Sequence, residues 1–230
     1  VTGLVLFPFG FFSDSVKEQG FESNLPLESM YLVSLAILVL SLFLLYFYRD
    51  PQRTIESGIV SPADGLVQRA EIKKGMVYFS IFMNVHNVHV NRSPFDGRVI
   101  SIKHKSGGYL PAFSKDSDKN ERLLTKIETS IGMMKVIQIA GVLVRRIVSY
   151  VKPNYEVAKG ERIGLIHFGS RVDLSFESAG IDICVKKGDK VLAGQRLANY
   201  TPLSSLSTSE KIFEVPKRMF SKLQASQSED

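Results

Sequence analysis

The 230-residue chain has no tryptophan, a single cysteine and only four histidines. The lone Cys184 rules out an internal disulfide and any CxxC redox or zinc motif. Within Ile181-Asp182-Ile183-Cys184-Val185 it is expected to be a small buried apolar residue. Also missing is a nucleic-acid motif in which aromatics interleave with arginine, although the net charge is +6. The basic balance therefore predicts an anionic membrane surface as partner and no nucleic acid. The composition of a disordered chain is absent too: 44% of residues are hydrophobic and 23% charged, which fits one globular domain with an appendage.

The charge that is present is unevenly placed. Residues 1–48 hold one basic residue, Lys17, against Asp14, Glu18, Glu22 and Glu28, a net of −3; residues 49–230 hold 28 basic and 19 acidic residues, a net of +9. Within the first part, Met30 to Tyr48 is interrupted only by Ser34 and Ser41 as small polar residues. As a helix this run would span about 28 Å, close to the hydrocarbon thickness of a bilayer. Tyr31, Tyr46 and Tyr48 suit the two interfaces, and Arg49 and Arg53 follow, which by the positive-inside rule puts the body in the cytoplasm. The expected organisation is a membrane anchor over 1–48 with its main span at 30–48, then a cytoplasmic domain over 49–230. No small-x-small site follows the span, so a cleaved signal sequence is not expected. Leu4 to Phe12 is too short to span alone, and a chain that opens on Val1 is expected to lack its true N-terminus.

From Arg49-Asp50-Pro51, where proline stops the helix, the pattern becomes many short β-rich runs between Gly, Pro, Asp and Asn turns. Predicted strands are 65–72, 76–82, 85–90, 97–104, 122–131, 132–139, 163–168, 171–176 and 190–199, with one helix at 142–151. The fold class is mostly β (α+β): an antiparallel, barrel-sandwich-like body with few helices. A turn-plus-strand echo recurs at Lys73–Val77, Lys159–Ile163 and Lys187–Val191, and the last copy resembles the hairpin of lipoyl and biotinyl domains.

Gly169-Ser170 lies between two strand-like runs. A glycine before a serine lets the hydroxyl approach the preceding carbonyl and tolerates strained backbone, which a self-cleaving bond requires. A base must take the hydroxyl proton. The candidates are His86, His89, His104 and His167. Two of them stand in Val85-His86-Asn87-Val88-His89, but no Cys pair or following Glu completes a ligand set, so no metal site is expected. On a regular strand, positions three apart point to opposite faces. His86 and His89 can share one site only where the backbone bends between them.

From Phe47 to Tyr200 the chain resembles the phosphatidylserine decarboxylase family, in its short archaeal and bacterial form. The resemblance is carried by Phe47-Tyr48-Arg49-Asp50-Pro51, Ser61-Pro62-Ala63-Asp64-Gly65, His86 through Gly97, Gly108-Tyr109-Leu110-Pro111-Ala112-Phe113, Asn120-Glu121-Arg122, Gln138-Ile139-Ala140-Gly141, Arg145-Arg146-Ile147 and Lys159 through Arg171, in that order. It implies cleavage between Gly169 and Ser170 into a beta chain, 1–169, and an alpha chain, 170–230, with Ser170 converted to a pyruvoyl cofactor that forms a Schiff base with the substrate amine. It further implies an Asp64-His89-Ser170 triad for self-cleavage, with Asp96 as rival carboxylate, and His86 as proton donor in decarboxylation. The implied reaction turns phosphatidylserine or archaetidylserine into the ethanolamine phospholipid at a cell membrane. Arg122, Arg145 and Arg146 are candidates for the lipid phosphate or carboxylate, and association in pairs, a homodimer, is also implied. The alternatives are a membrane-anchored adaptor of barrel-sandwich type, which lacks here its long helical hairpin, and a lipoyl-like carrier, for which Lys187 and Lys190 lie outside the usual setting.

Overall fold

The computed structural model describes residues 26–108, 120–141, 146–167 and 170–201. Two units emerge, residues 1–45 and 46–230. The first holds most of helix α1 (Leu27–Phe47), which is apolar on every side and has the large side chains from Met30 to Tyr46 open. The Ser34 and Ser41 hydroxyls donate to the Met30 and Ile37 carbonyls, each at 2.8 Å, so these hydroxyls are satisfied within the helix. Among the described residues this is the one helix long and apolar enough to cross a membrane.

The second unit is almost entirely strand. Its elements are β1 (Ile59–Val60), β2 (Gly65–Lys73), β3 (Met76–Met83), β4 (Val90–Arg92), β5 (Gly97–Lys105), β6 (Arg122–Thr129), β7 (Gly132–Ile139), β8 (Ile147–Ser149), β9 (Glu156–Val157), β10 (Arg162–Ile166), β11 (Ser170–Glu177), β12 (Ile181–Ile183), β13 (Lys190–Val191) and β14 (Arg196–Tyr200). Eight strands form one sheet in the order β13-β2-β3-β11-β7-β6-β5-β9, and two three-stranded sheets run β4-β10-β8 and β1-β14-β12. The pairings within these sheets are antiparallel.

Alternation decides which face is buried. Val77, Phe79, Ile81 and Met83 of β3, Val172, Leu174 and Phe176 of β11, and Met134 and Val136 of β7 turn to one side and form the core. At Gly65 a Cβ would stand 2.2 Å from the Phe82 carbonyl oxygen, so the turn after Asp64 admits only glycine.

The expected mostly antiparallel β body is present, with four local corrections. The run 85–90 is not a strand: a turn closes at Asn84–Asn87, and pairing starts only at Val90. The predicted helix at 142–151 fails where it is described, because Ile147–Ser149 is strand β8, paired with β10; residues 142–145 lie outside the described residues. The run 190–199 is split into β13 and β14 by a turn in which the Gln195 amide donates to the Leu192 carbonyl at 3.0 Å. Cys184 is exposed rather than buried, since it follows a three-residue strand paired only with β14.

Candidate active site

Ser170 is the first residue of β11, the strand held between β3 and β7. It pairs with Met83, and two residues on Val172 pairs with Ile81 and with Gln138. Period two therefore puts Ser170, Met83 and Gln138 on the same, interior face. Ser170 is fully buried and its Oγ has no hydrogen-bond partner. A buried hydroxyl left unpaired is costly unless it is held for chemistry. Gly169 lies outside the described residues.

His89 follows the turn that displaces the predicted strand. The Asn87 amide donates to the Asn84 carbonyl at 2.9 Å, and the Asn84 amide donates to Asn87 Oδ1 at 2.8 Å. The Asn87 carbonyl in turn lies 2.9 Å from His89 Nδ1. A carbonyl only accepts, so Nδ1 carries the hydrogen and Nε2 presents its lone pair. Nε2 is buried and unpaired. The Phe47 ring covers the imidazole at 4.3 Å between centroids. Burial lowers the His89 pKa from 6.5 to about 4, against the opposing bond to Asn87 and with the help of Arg49, His167 and His86. At neutral pH the side chain is an uncharged base. The His89 carbonyl accepts from the Ile166 amide at 3.3 Å, which ties it to β10, the strand that leads toward Ser170.

The turn also breaks the strand alternation between the two histidines. His86 sits in it, exposed, while His89 points inward. The His86 carbonyl accepts from Arg49 Nη2 at 2.6 Å and from the Tyr46 hydroxyl at 3.3 Å. Arg49 stacks on the Tyr46 ring at 3.8 Å. The Tyr48 hydroxyl is 2.9 Å from His167 Nδ1. Burial, then the charge of Arg146, lowers the pKa of His167. His86, His89 and His167 thus all contact residues 46–49, while His104 pairs with Glu121 at 3.0 Å.

The carboxylates have other partners. Asp64 is buried, paired with Arg53, and accepts from the Ala193 amide at 2.8 Å. It makes no hydrogen bond to His89. Asp96 is exposed and accepts from the Lys159 amide at 2.9 Å. Arg122 pairs in register with Ile139, as does Arg171, which puts its side chain on the sheet face opposite Ser170. Arg146 is exposed, and its carbonyl accepts from the His167 amide at 3.1 Å. Arg145 lies outside the described residues. Among the described residues no three His, Cys, Asp or Glu side chains are grouped as a metal site.

Residue-level reading of the sequence gave Phe47 no role, took Tyr48 and Arg49 only as membrane-interface and orientation signals, and assigned nothing to Asn91 and Gln138. These two form a buried amide pair: Gln138 Nε2 donates to Asn91 Oδ1 at 2.8 Å, and Asn91 Nδ2 donates to Met83 Sδ at 3.5 Å. At Gly164 of β10 a Cβ would stand 2.5 Å from the Val148 carbonyl oxygen and 3.0 Å from Gln138 Nε2, so β10 passes directly over the pair. The signal was available in the motifs Asn91-Arg92 and Gln138-Ile139-Ala140-Gly141, each a polar residue inside a β-rich run.

The family model described as phosphatidylserine decarboxylase matches residues 40–199. A protein of Methanococcoides burtonii named as an archaetidylserine decarboxylase proenzyme is 51% identical over 161 residues, covering 69% of this chain and 75% of its own. The phosphatidylserine decarboxylase proenzyme of Streptomyces avermitilis is 48% identical over 153 residues, covering 66% and 71%. That of Thermobifida fusca is 46% identical over 165 residues, covering 71% and 76%. With its buried serine and neutral histidine inside the matched span, the chain belongs to the phosphatidylserine decarboxylase family.

Proposed function

We propose that this chain is a self-processing, pyruvoyl-dependent decarboxylase of serine phospholipids. One observation carries the reading: Ser170 Oγ and the lone-pair nitrogen of a neutral His89 are both buried and both unpartnered. His89 Nε2 takes the Ser170 hydroxyl proton, and Oγ attacks the Gly169 carbonyl carbon. The C–N bond breaks as the proton passes to the amine, leaving an ester between Gly169 and the Ser170 side chain. Loss of the Ser170 Cα proton then expels Gly169 as a carboxylate and leaves dehydroalanine at the head of 170–230. Water converts this to a pyruvoyl group and releases ammonia.

Asp64, by its place in the family motif and its burial, is the carboxylate assigned to steady the charged His89. It holds Arg53 and the Ala193 amide in this structure, so that role needs the 62–65 turn to rearrange.

Ser170 fits as precursor of the cofactor, since its unpaired Oγ marks a polar position with no structural use. The pyruvoyl carbonyl, once formed, supplies the electron sink for decarboxylation. The chain's own residues bind, orient and protonate. His86, exposed and fixed through its carbonyl by Arg49 and Tyr46, delivers the proton to the product carbon. Arg146, an exposed cation beside His167, is the described arginine best placed to meet a head-group anion. Helix α1 supports membrane attachment, and Arg49 and Arg53 after it support a cytoplasmic body. The relatives' names support phosphatidylserine or its ether-lipid counterpart as substrate, and the word proenzyme in those names supports processing.

Denaturing mass analysis tests the reading. The expected products are 1–169 and 170–230, the latter blocked at its N-terminus, while Ser170→Ala stays whole. Cleavage of Ser170→Ala at the normal rate would overturn it.

A further inference from the structure

We infer that Gln138 is a positioning residue for self-cleavage, holding the Ser170 hydroxyl through its side-chain oxygen. The inference rests on the self-processing reading above. Gln138 is buried, and its Oε1 has no hydrogen-bond partner.

The direction of the amide pair is fixed by its far end. Met83 Sδ can only accept, so Asn91 turns Nδ2 to it and Oδ1 to Gln138. Gln138 must then turn Nε2 to Asn91, which leaves Oε1 as the terminal acceptor of a chain that runs Met83, Asn91, Gln138. The acceptor lacks a donor, and the Ser170 hydroxyl, buried on the same face, lacks a partner. Gln138 pairs with Val172 across β7 and β11, which makes Ser170 its diagonal neighbour. Diagonal neighbours on one sheet face have Cα atoms roughly 7–8 Å apart, within reach of a long side chain. Ser170 lies in an unbroken register with β3 and Gln138 in an unbroken register with β11, so no bulge within those ladders turns either one away. The two atoms are not hydrogen-bonded in this structure; rotation of the Ser170 hydroxyl onto the Gln138 acceptor would set the serine before His89 removes the proton.

The test follows cleavage of the freshly synthesised full-length chain by gel and mass, beside wild type and Ser170→Ala. Gln138→Met keeps the length and the apolar packing but loses the acceptor; cleavage is expected to slow roughly tenfold to a hundredfold. Gln138→Glu restores an acceptor, and its cleavage is expected to recover as pH rises and the carboxyl ionises, a dependence the wild type lacks. A purely structural role predicts the reverse, with Met tolerated and a buried charge not. Each substitution is also made in the Ser170→Ala chain, where a thermal transition within a few degrees of its parent shows an intact fold. If Gln138→Met loses that transition, Gln138→Glu decides: cleavage that rises with pH supports the assignment, and absent or pH-flat cleavage overturns it. Wild-type cleavage rates in a folded Gln138→Met chain also overturn it. An uncut wild-type chain would instead remove the self-processing reading itself, and this assignment with it.

Discussion

Lowering the pH of freshly synthesised chain from 7.5 to 5 is expected to leave self-cleavage almost undiminished. With a His89 pKa of about 4, about 90% of the base is still unprotonated at pH 5. An ordinary histidine with a pKa of 6.5 would be only about 3% unprotonated there, a difference of about thirtyfold in rate. Phe47→Ala supplies the contrast. It removes the ring 4.3 Å from the imidazole and admits water, so the apparent pKa should climb toward 6.5 and the pH 5 rate should fall selectively. Phe47 is fully buried, and its loss should also cost about 3–5 kcal/mol of folding stability. The assay is cell-free synthesis of the full chain in lipid, buffer exchange, and the ratio of the 170–230 band to intact chain over time. An unaltered chain whose cleavage rate falls with an apparent pKa near 6.5 would refute the buried, neutral His89 as base.

Other outcomes follow from the same geometry. Because His89 binds its proton at pH 6.5 when unfolded and at about 4 when folded, its contribution is complete above pH 6.5 and falls as pH drops toward 4. The uncut Ser170→Ala chain should lose about 3 kcal/mol across that window beyond the loss seen when His89 is replaced as well, measured by denaturant titration. His86→Ala should be cut normally yet release little carbon dioxide from a serine phospholipid; an uncut His86→Ala chain would move His86 into the processing step. Arg53→Leu strands the buried Asp64 carboxylate and should cost about 3 kcal/mol, read as a lowered thermal midpoint. Gly164→Ala forces a Cβ to 2.5 Å from the Val148 carbonyl oxygen and should cost about 1–3 kcal/mol, with slower cleavage because β10 shifts over Gln138.

Much of the body was legible because alternation and turn chemistry are local. The three echoed turns illustrate it: Gly75, Gly160 and Gly188 all adopt positive φ, at 73°, 80° and 97°. The failures share a cause. Val85 to Val90 carries β-branched residues, but Asn84 and Asn87 hydrogen-bond to each other and close a turn that propensity does not weigh. Ile147 to Ser149 took the period of a helix until β10 supplied a ladder, a pairing no local window contains. In the site, Ser170, His86 and His89 were visible as motif residues. Their surroundings were not: Phe47 meets His89, Arg49 meets His86 and Gln138 meets Asn91 across 37 or more positions of sequence, and the partner of Asp64 proved to be Arg53.

All eight residues of β11 pair with β3, and the strand lies inside the sheet with β7 on its other side. Chain ends usually fray, since little restrains them. A terminus created just before Ser170 would be held by β3 from its first residue and by β7 from its second. Severing the backbone there would remove connectivity without loosening the weave: the downstream piece would keep its ladder bonds and could leave only if the whole sheet came apart. The reactive end would be born immobile, as a group that must meet its substrate in one orientation needs to be.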